Sequence, residues 1–383
     1  MEDHTQDFDA IRPYHDEEVH QILARISHKH SFFQLIGYLF PQMTQAEVVE
    51  GFSHIHSIRA FQALYIHRAI RSIAADSTDG VTYEGLKGLS KSQPYLYLAN
   101  HRDIILDSAF LNVLLFEHGF DTTQIAIGDN LMVSPLVTDL MKLNKSFIVH
   151  RSAPRHLMVP YAQRLSGYIR KTLHADRCSL WLAQRNGRTK DGIDETSPAL
   201  LKMLQISGPD DLVASFQALH LVPVAISYEY EPCDGLKAEE CYHARHGLPY
   251  TKDDKVSIVR GIRDRKGRVH LAVGQPLHDE IAALGDTTNR NAWFRSLAAR
   301  VDAEIWRLYR RWPTHYIAAD LLLGEARHAA HYSADERAQF TAYVDRRVSE
   351  LRGDPVELRQ ILLEIYAGMV EPALVHRTDT QRA

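Results

Sequence analysis

Two apolar periods follow one another along this chain. From residue 16 to about residue 85 the spacing is helical, since Asp16-Glu-Glu-Val-His-Gln-Ile-Leu-Ala-Arg-Ile and Ile58-Arg-Ala-Phe-Gln-Ala-Leu-Tyr-Ile-His-Arg-Ala-Ile place apolar side chains every three to four positions. Ala75-Asp-Ser-Thr-Asp-Gly80 breaks that pattern. Short β-rich runs then predict strands at 95–99, 124–127, 147–150, 179–183, 222–228, 256–262 and 269–273, with helices at 106–117, 155–173, 199–205 and 212–220 between them. Alternation of this kind predicts an α/β fold, a sheet with helices on its faces. Asp264-Arg-Lys-Gly267 lies between the last two runs and reads as a hairpin turn, which makes the sheet mixed. Beyond about residue 285 the pattern is helical again, at 293–312, 334–352 and 357–370, with breakers at Pro313, Gly353-Asp-Pro355 and Pro372. The expected organisation is an N-terminal helical region (1–85), an αβ domain (86–284) and a C-terminal helical extension (285–383).

With 383 residues and 45% hydrophobic content, the chain can bury a full core. Lys and Arg total 44 against 48 Asp and Glu, a balance that argues against a nucleic-acid binder of the strongly basic kind. Cys178, Cys233 and Cys241 are too few and too irregular for a disulfide framework, which fits a reducing cytoplasm. The acidic start, Met1-Glu-Asp-His-Thr-Gln-Asp-Phe-Asp9, is not that of a signal peptide. No apolar run approaches the roughly 20 residues that cross a bilayer. Phe32-Phe-Gln-Leu-Ile-Gly-Tyr-Leu-Phe40 is long enough only to lie in a membrane interface, with an ordinary core helix as the more common alternative for such a segment.

The densest chemistry is in Tyr95-Leu-Tyr-Leu-Ala-Asn-His101-Arg-Asp103-Ile-Ile-Leu-Asp107, where an apolar strand runs into a histidine followed by two carboxylates. Neutral imidazole removes a proton near pH 7, and a carboxylate on its other nitrogen fixes the tautomer and stabilises the imidazolium that forms. A histidine followed by an aspartate at a helix start is also a common capping arrangement. No serine or cysteine is comparably placed, so the nucleophile expected here is a hydroxyl of the substrate.

Four segments in order, Asn100-His101-Arg102 with Asp107, Lys145-Ser-Phe-Ile-Val-His-Arg151, Ala183-Gln-Arg-Asn186-Gly187-Arg188 and Leu221-Val-Pro223-Val-Ala-Ile-Ser-Tyr228, resemble the four blocks of the glycerolipid acyltransferase family. The resemblance covers about residues 85 to 280. It implies a glycerolipid acyltransferase-like fold and transfer of a fatty acyl group from a thioester to a hydroxyl of glycerol-3-phosphate or a lysophospholipid. The implied roles are His101 as general base with Asp107 or Asp103 as its orienting carboxylate, Arg151 and Arg188 on the acceptor's phosphate, and Pro223 on the acyl-donor side. Arg102, Lys145, Asn186 and Gly187 complete the implied substrate-binding set. Two departures stand out. His101 and Asp107 are separated by five residues where the family has four, and Asn186 stands where the third block usually carries Glu. Asp107 is favoured because an apolar helix follows it directly. The second departure leaves an amino-acid-containing lyso-lipid open as acceptor, and a catalytically silent lipid-binding scaffold remains the alternative of a different class.

The donor implied is acyl-coenzyme A or acyl carrier protein, and no metal or redox cofactor is called for. Of 22 histidines, none pairs with Cys, Asp or Glu at zinc-like spacing. Arg260, Arg263, Arg265, Lys266 and Arg268 form the densest basic stretch, which reads as a landing site for an anionic donor or as solvated charge on a hairpin tip. Gly128-Asp-Asn130 either borders the cleft or is ordinary turn chemistry. The expected location is cytoplasmic, at the inner face of a membrane if the protein binds one peripherally.

Overall fold

The computed structural model describes residues 8–151 and 154–376; the acidic start discussed above lies mostly outside them. The sheet has seven strands: β1 (Val81–Glu84), β2 (Leu96–Ala99), β3 (Gln124–Gly128), β4 (Ser146–Val149), β5 (Leu180–Ala183), β6 (Leu221–Tyr228) and β7 (Val269–Val273). Their order is β1-β7-β6-β2-β5-β3-β4, with every neighbouring pair parallel except β6 and β7. The exits of β2 through β6 therefore share one edge of the sheet, the usual place for ligands in open α/β folds.

Side chains alternate across the central strands. Leu96 and Leu98 of β2 pack with Leu180 and Leu182 of β5 in one buried cluster, whereas Tyr97, Ala99 and Trp181 belong to another on the opposite face. Both faces are covered, which is why these strands read as continuous apolar runs. The first face receives α8 (Arg155–His174), α9 (Pro198–Gln205) and α14 (Arg290–Leu308). The second receives α5 (His67–Ser77) and α6 (Leu106–Glu117), the latter beginning where the chain turns back from β2.

The N-terminal helices α1 (Asp16–Ile26), α2 (His30–Leu39), α3 (Gln45–Ser53) and α4 (Ile58–Phe61) build a third cluster together with α7 (Pro135–Leu143). Phe32, Ile36 and Phe40 of the segment considered for a membrane interface are buried there, with Phe32 packed on Phe52 and Phe40 edge-on to Tyr65. No helix among the described residues is long and apolar enough to cross a membrane. A fourth cluster joins α11 (Asp234–Arg245) to α15 (Pro313–Leu323), α16 (Ala334–Ser349) and α17 (Pro355–Ala367). It is pinned by buried Asp234, which accepts from Tyr343, Tyr366 and Arg347.

Four expectations are corrected. Residues 256–262 are not a strand but part of α12 (Asp254–Arg263), because Ile258 and Ile262 fall one helical turn apart on the core-facing side and Asp253 accepts from the backbone N–H groups of Lys255 and Val256. The sheet is still mixed, but β7 pairs with β6 and with β1, a short strand inside the region read as purely helical. The basic stretch is accordingly no hairpin tip: Lys266 is buried against Ser77 and the Asp264 carbonyl, Arg265 pairs with Asp79, and Arg268 forks onto Glu229. Pro313 does not end a helix but opens α15 at its first turn, where a missing N–H costs nothing.

If α2 is a core element, Phe32→Ala should lower stability by about 3–5 kcal/mol, the usual cost of deleting a buried aromatic ring. A urea unfolding midpoint unchanged by that substitution would place the helix outside the core.

Candidate active site

The chain leaves β2 at Asn100, and Asn100 is locked before any chemistry begins: its amide donates to Asp194 and to the Ile226 carbonyl and accepts from the Ile226 N–H. His101 follows, buried, with its ring edge-on to Trp181 at 5.5 Å between centroids. Its Nδ1 lies 2.8 Å from Asp107 Oδ2. The same oxygen accepts from the backbone N–H groups of Arg102 and Asp103 at 2.6 and 2.9 Å, and Oδ1 accepts from the Tyr228 hydroxyl at 2.7 Å. With Nδ1 engaged, Nε2 is the ring nitrogen left to face a ligand.

Asp103 does something else. Its Oδ1 accepts from the N–H groups of Ile105 and Leu106, forming the turn that starts α6. That turn absorbs the extra residue between His101 and Asp107, so the longer spacing still brings the second carboxylate to the imidazole.

His101 lines a cleft at the strand exits, together with Gly128, Arg151, Trp181, Gly187 and Arg188. Lys252, two residues before α12, and Asp254, its first residue, close it and are paired at 3.0 Å. The loop after β5 is tied directly to the histidine, since the Thr189 N–H donates to the His101 carbonyl at 2.8 Å. Gly187 makes that loop's turn with φ 78, a conformation glycine adopts without strain. Arg188 is buried, its Nη1 has no hydrogen-bond partner, and no ion pair among the described residues includes it. Burial lowers the Arg151 guanidinium below its ordinary range, opposed by Asp129 and Asp254. Gly128 makes room for it: a Cβ there would fall 2.6 Å from Arg151 Nε. The Gly128-Asp-Asn130 segment is thus both turn and cleft wall, with Asp129 accepting from the Arg151 N–H.

Arg151 and Ala126 also border a second, larger groove. Ile148, Leu165, Leu200 and Met203 line it together with Arg164, Arg185 and Lys202, and among the described residues no carboxylate does. Asn186 belongs to this groove rather than to the cleft of His101.

Three residues expected to bind substrate are placed elsewhere. The Arg102 guanidinium is almost wholly buried among Asp194, Glu231 and the Gly192 carbonyl, with Tyr309 beneath it, and has no face left for a ligand. Lys145 precedes β4 and so lies at the opposite edge of the sheet, donating to the Thr122 carbonyl. Pro223 is inside β6 opposite Leu98 and lines neither cavity. Conversely, Tyr228, Trp181 and Lys252 belong to the site and carry no signal in the sequence that would have singled them out.

Residues 80–192 match the family model described as Acyltransferase. The chain is similar to dihydroxyacetone phosphate acyltransferases: 22% identical to that of Mus musculus over 286 residues, covering 72% of this chain and 40% of the mouse protein, and 22% identical to that of Homo sapiens over 278 residues, covering 70% and 38%. It thus spans about two fifths of the length of these curated relatives. Among solved structures, the 1-acyl-sn-glycerophosphate (LPA) acyltransferase PlsC from Thermotoga maritima aligns with a TM-score of 0.37 and 13% identity, over 76% of this chain and 97% of that one. The matched segment runs from the start of the sheet to the loop after β5 and contains His101, Asp107, Arg151 and Arg188, so the part of the chain that carries the cleft is the part similar to acyltransferases.

Proposed function

We propose that the protein is an O-acyltransferase that moves a fatty acyl group from a thioester to a hydroxyl of a small phosphate-bearing glycerolipid precursor, of the kind of dihydroxyacetone phosphate, glycerol-3-phosphate or 1-acylglycerol-3-phosphate. The observation that carries this reading is Arg188, a buried cation whose Nη1 has no hydrogen-bond partner, in the same cleft as an aspartate-held histidine. A buried donor without a partner is costly, and a guanidinium takes a phosphate through two parallel hydrogen bonds, so an anionic ligand suits this position. Arg151 supplies a second cation.

In this reading, the acceptor's phosphate rests on Arg188 and Arg151 with a nearby hydroxyl at His101 Nε2. As the hydroxyl oxygen attacks the thioester carbon, its proton passes to Nε2, and Asp107 stabilises the imidazolium. The tetrahedral oxyanion collapses by breaking the carbon–sulfur bond, and the thiolate takes the proton back from His101, so the base is regenerated. The apolar groove is suited to the acyl chain, and its cation-rimmed walls to the anionic end of a coenzyme A or acyl carrier protein thioester. Met158 and Val159 are exposed at that groove, which suits access from a membrane surface. A silent scaffold would have no use for a four-donor carboxylate on the histidine.

His101→Ala should abolish transfer by roughly 10² to 10⁴-fold in a protein that remains folded by circular dichroism. Between the aspartates, Asp107→Asn should be the more damaging, because Asp103 serves only the turn; the reverse ranking in steady-state rates would remove Asp107 from the mechanism. Arg188→Lys keeps the charge and loses the fork, so the KM for the acceptor should rise more than that for the donor. A rise confined to the donor KM would move Arg188 to the thioester side.

A further inference from the structure

Asp107 receives three donors on Oδ2 and a single one on Oδ1, the Tyr228 hydroxyl at 2.7 Å. Tyr228 ends β6 and is fully buried. Its backbone is pinned from the C-terminal region, since His315 Nε2 is 3.2 Å from its carbonyl and Thr314 donates to the next carbonyl, that of Glu229. The phenol is therefore fixed by the sheet and by α15 rather than by any substrate.

We propose that Tyr228 is a positioning residue that sets the basicity of His101 through Asp107, and with it the pH range in which the acyl transfer described above can run. A carboxylate that accepts a donor on its far oxygen presents less negative charge to the imidazole and so holds a ring proton less tightly. Without that donor the carboxylate holds a proton on the ring more tightly. Burial, followed by the charges of Asp107, Asp103 and Glu231, raises the phenol far above the ordinary tyrosine range, so it remains a donor wherever the protein is folded. The other charged groups around the pair are Arg151, Arg188, Lys252 and Asp254, which face His101 across the cleft. All of them persist when only the phenol is altered.

The test is the titration of His101 followed by NMR in protein labelled at histidine Cε1, with His101→Gln identifying the signal among the 22 histidines. It is measured for wild type, for Tyr228→Phe and for full-length protein carrying fluorinated tyrosines at position 228, which keep the ring and hydroxyl but donate more strongly. Removing the donor should raise the midpoint by about 0.5 to 1 pH unit, and each added fluorine should lower it. The acid limb of kcat/KM should move with it. A midpoint that stays fixed across the fluorinated series overturns the inference even if Tyr228→Phe is slow or unfolded. If the midpoint moves and no acyl transfer is found with any acceptor, the coupling stands and the proposed reaction falls.

Discussion

At the exit of β2 a guanidinium has been taken out of water and surrounded by protein. Arg102 donates to Asp194 on the loop after β5, to Glu231 just beyond β6 and to the Gly192 carbonyl, and stacks on Tyr309 from the link between α14 and α15. Lys237 completes the group, donating to Glu231 and to the Arg102 carbonyl. Burying charges costs several kcal/mol for each ion and is recovered only if every partner is held in place. The network therefore permits little movement in any of the segments it joins. Those segments carry the site: the backbone N–H of Arg102 holds Asp107, and the loop pinned at Asp194 carries Gly187 and Arg188. Thr189 adds a second tie on the same carboxylate, its hydroxyl donating to Asp194 Oδ1. Rigidity at Arg102 becomes orientation at His101.

The same network explains why residues after 285 are not an appendage. Trp306 donates to the Asp194 carbonyl, Tyr309 lies under Arg102, and Tyr366 accepts from the Glu231 N–H. The C-terminal helices thus close the inner side of the strand exits, leaving the outer side for the cleft and the apolar groove. These two cavities meet at Arg151 and Ala126, as the proposed reaction between a small polar acceptor and a long apolar donor would need.

Much of this was legible in the sequence where a local pattern determined the outcome. The helix over 106–117 and the strand over 269–273 have the bounds their spacing predicts, and His101 was marked by standing at a strand exit. Choosing between Asp103 and Asp107 needed the turn itself, because spacing alone cannot show a carboxylate folding back on its own backbone. Arg102 looked like a ligand because its partners Asp194 and Glu231 lie 92 and 129 residues away. Lys145 was misplaced for a simpler reason: it precedes its strand whereas the proposed site residues follow theirs, and in a parallel sheet those are opposite edges. Tyr228 read as the last apolar position of a strand, and only pairing of β6 with β2 brings its hydroxyl to Asp107. Residues 256–262 were ambiguous in period, with apolar positions fitting both two-residue and four-residue repeats.

In the proposed reaction His101 and Arg188 serve one anionic acceptor. Mass spectrometry of products tests it most directly: purified protein is given an acyl thioester with dihydroxyacetone phosphate, glycerol-3-phosphate, 1-acylglycerol-3-phosphate or glycerol, alongside its His101→Ala form. The account predicts an acyl ester of at least one phosphate-bearing acceptor, little or none with glycerol, and none above background from the variant. Equal acylation of glycerol, or product formation that survives loss of His101, would contradict it.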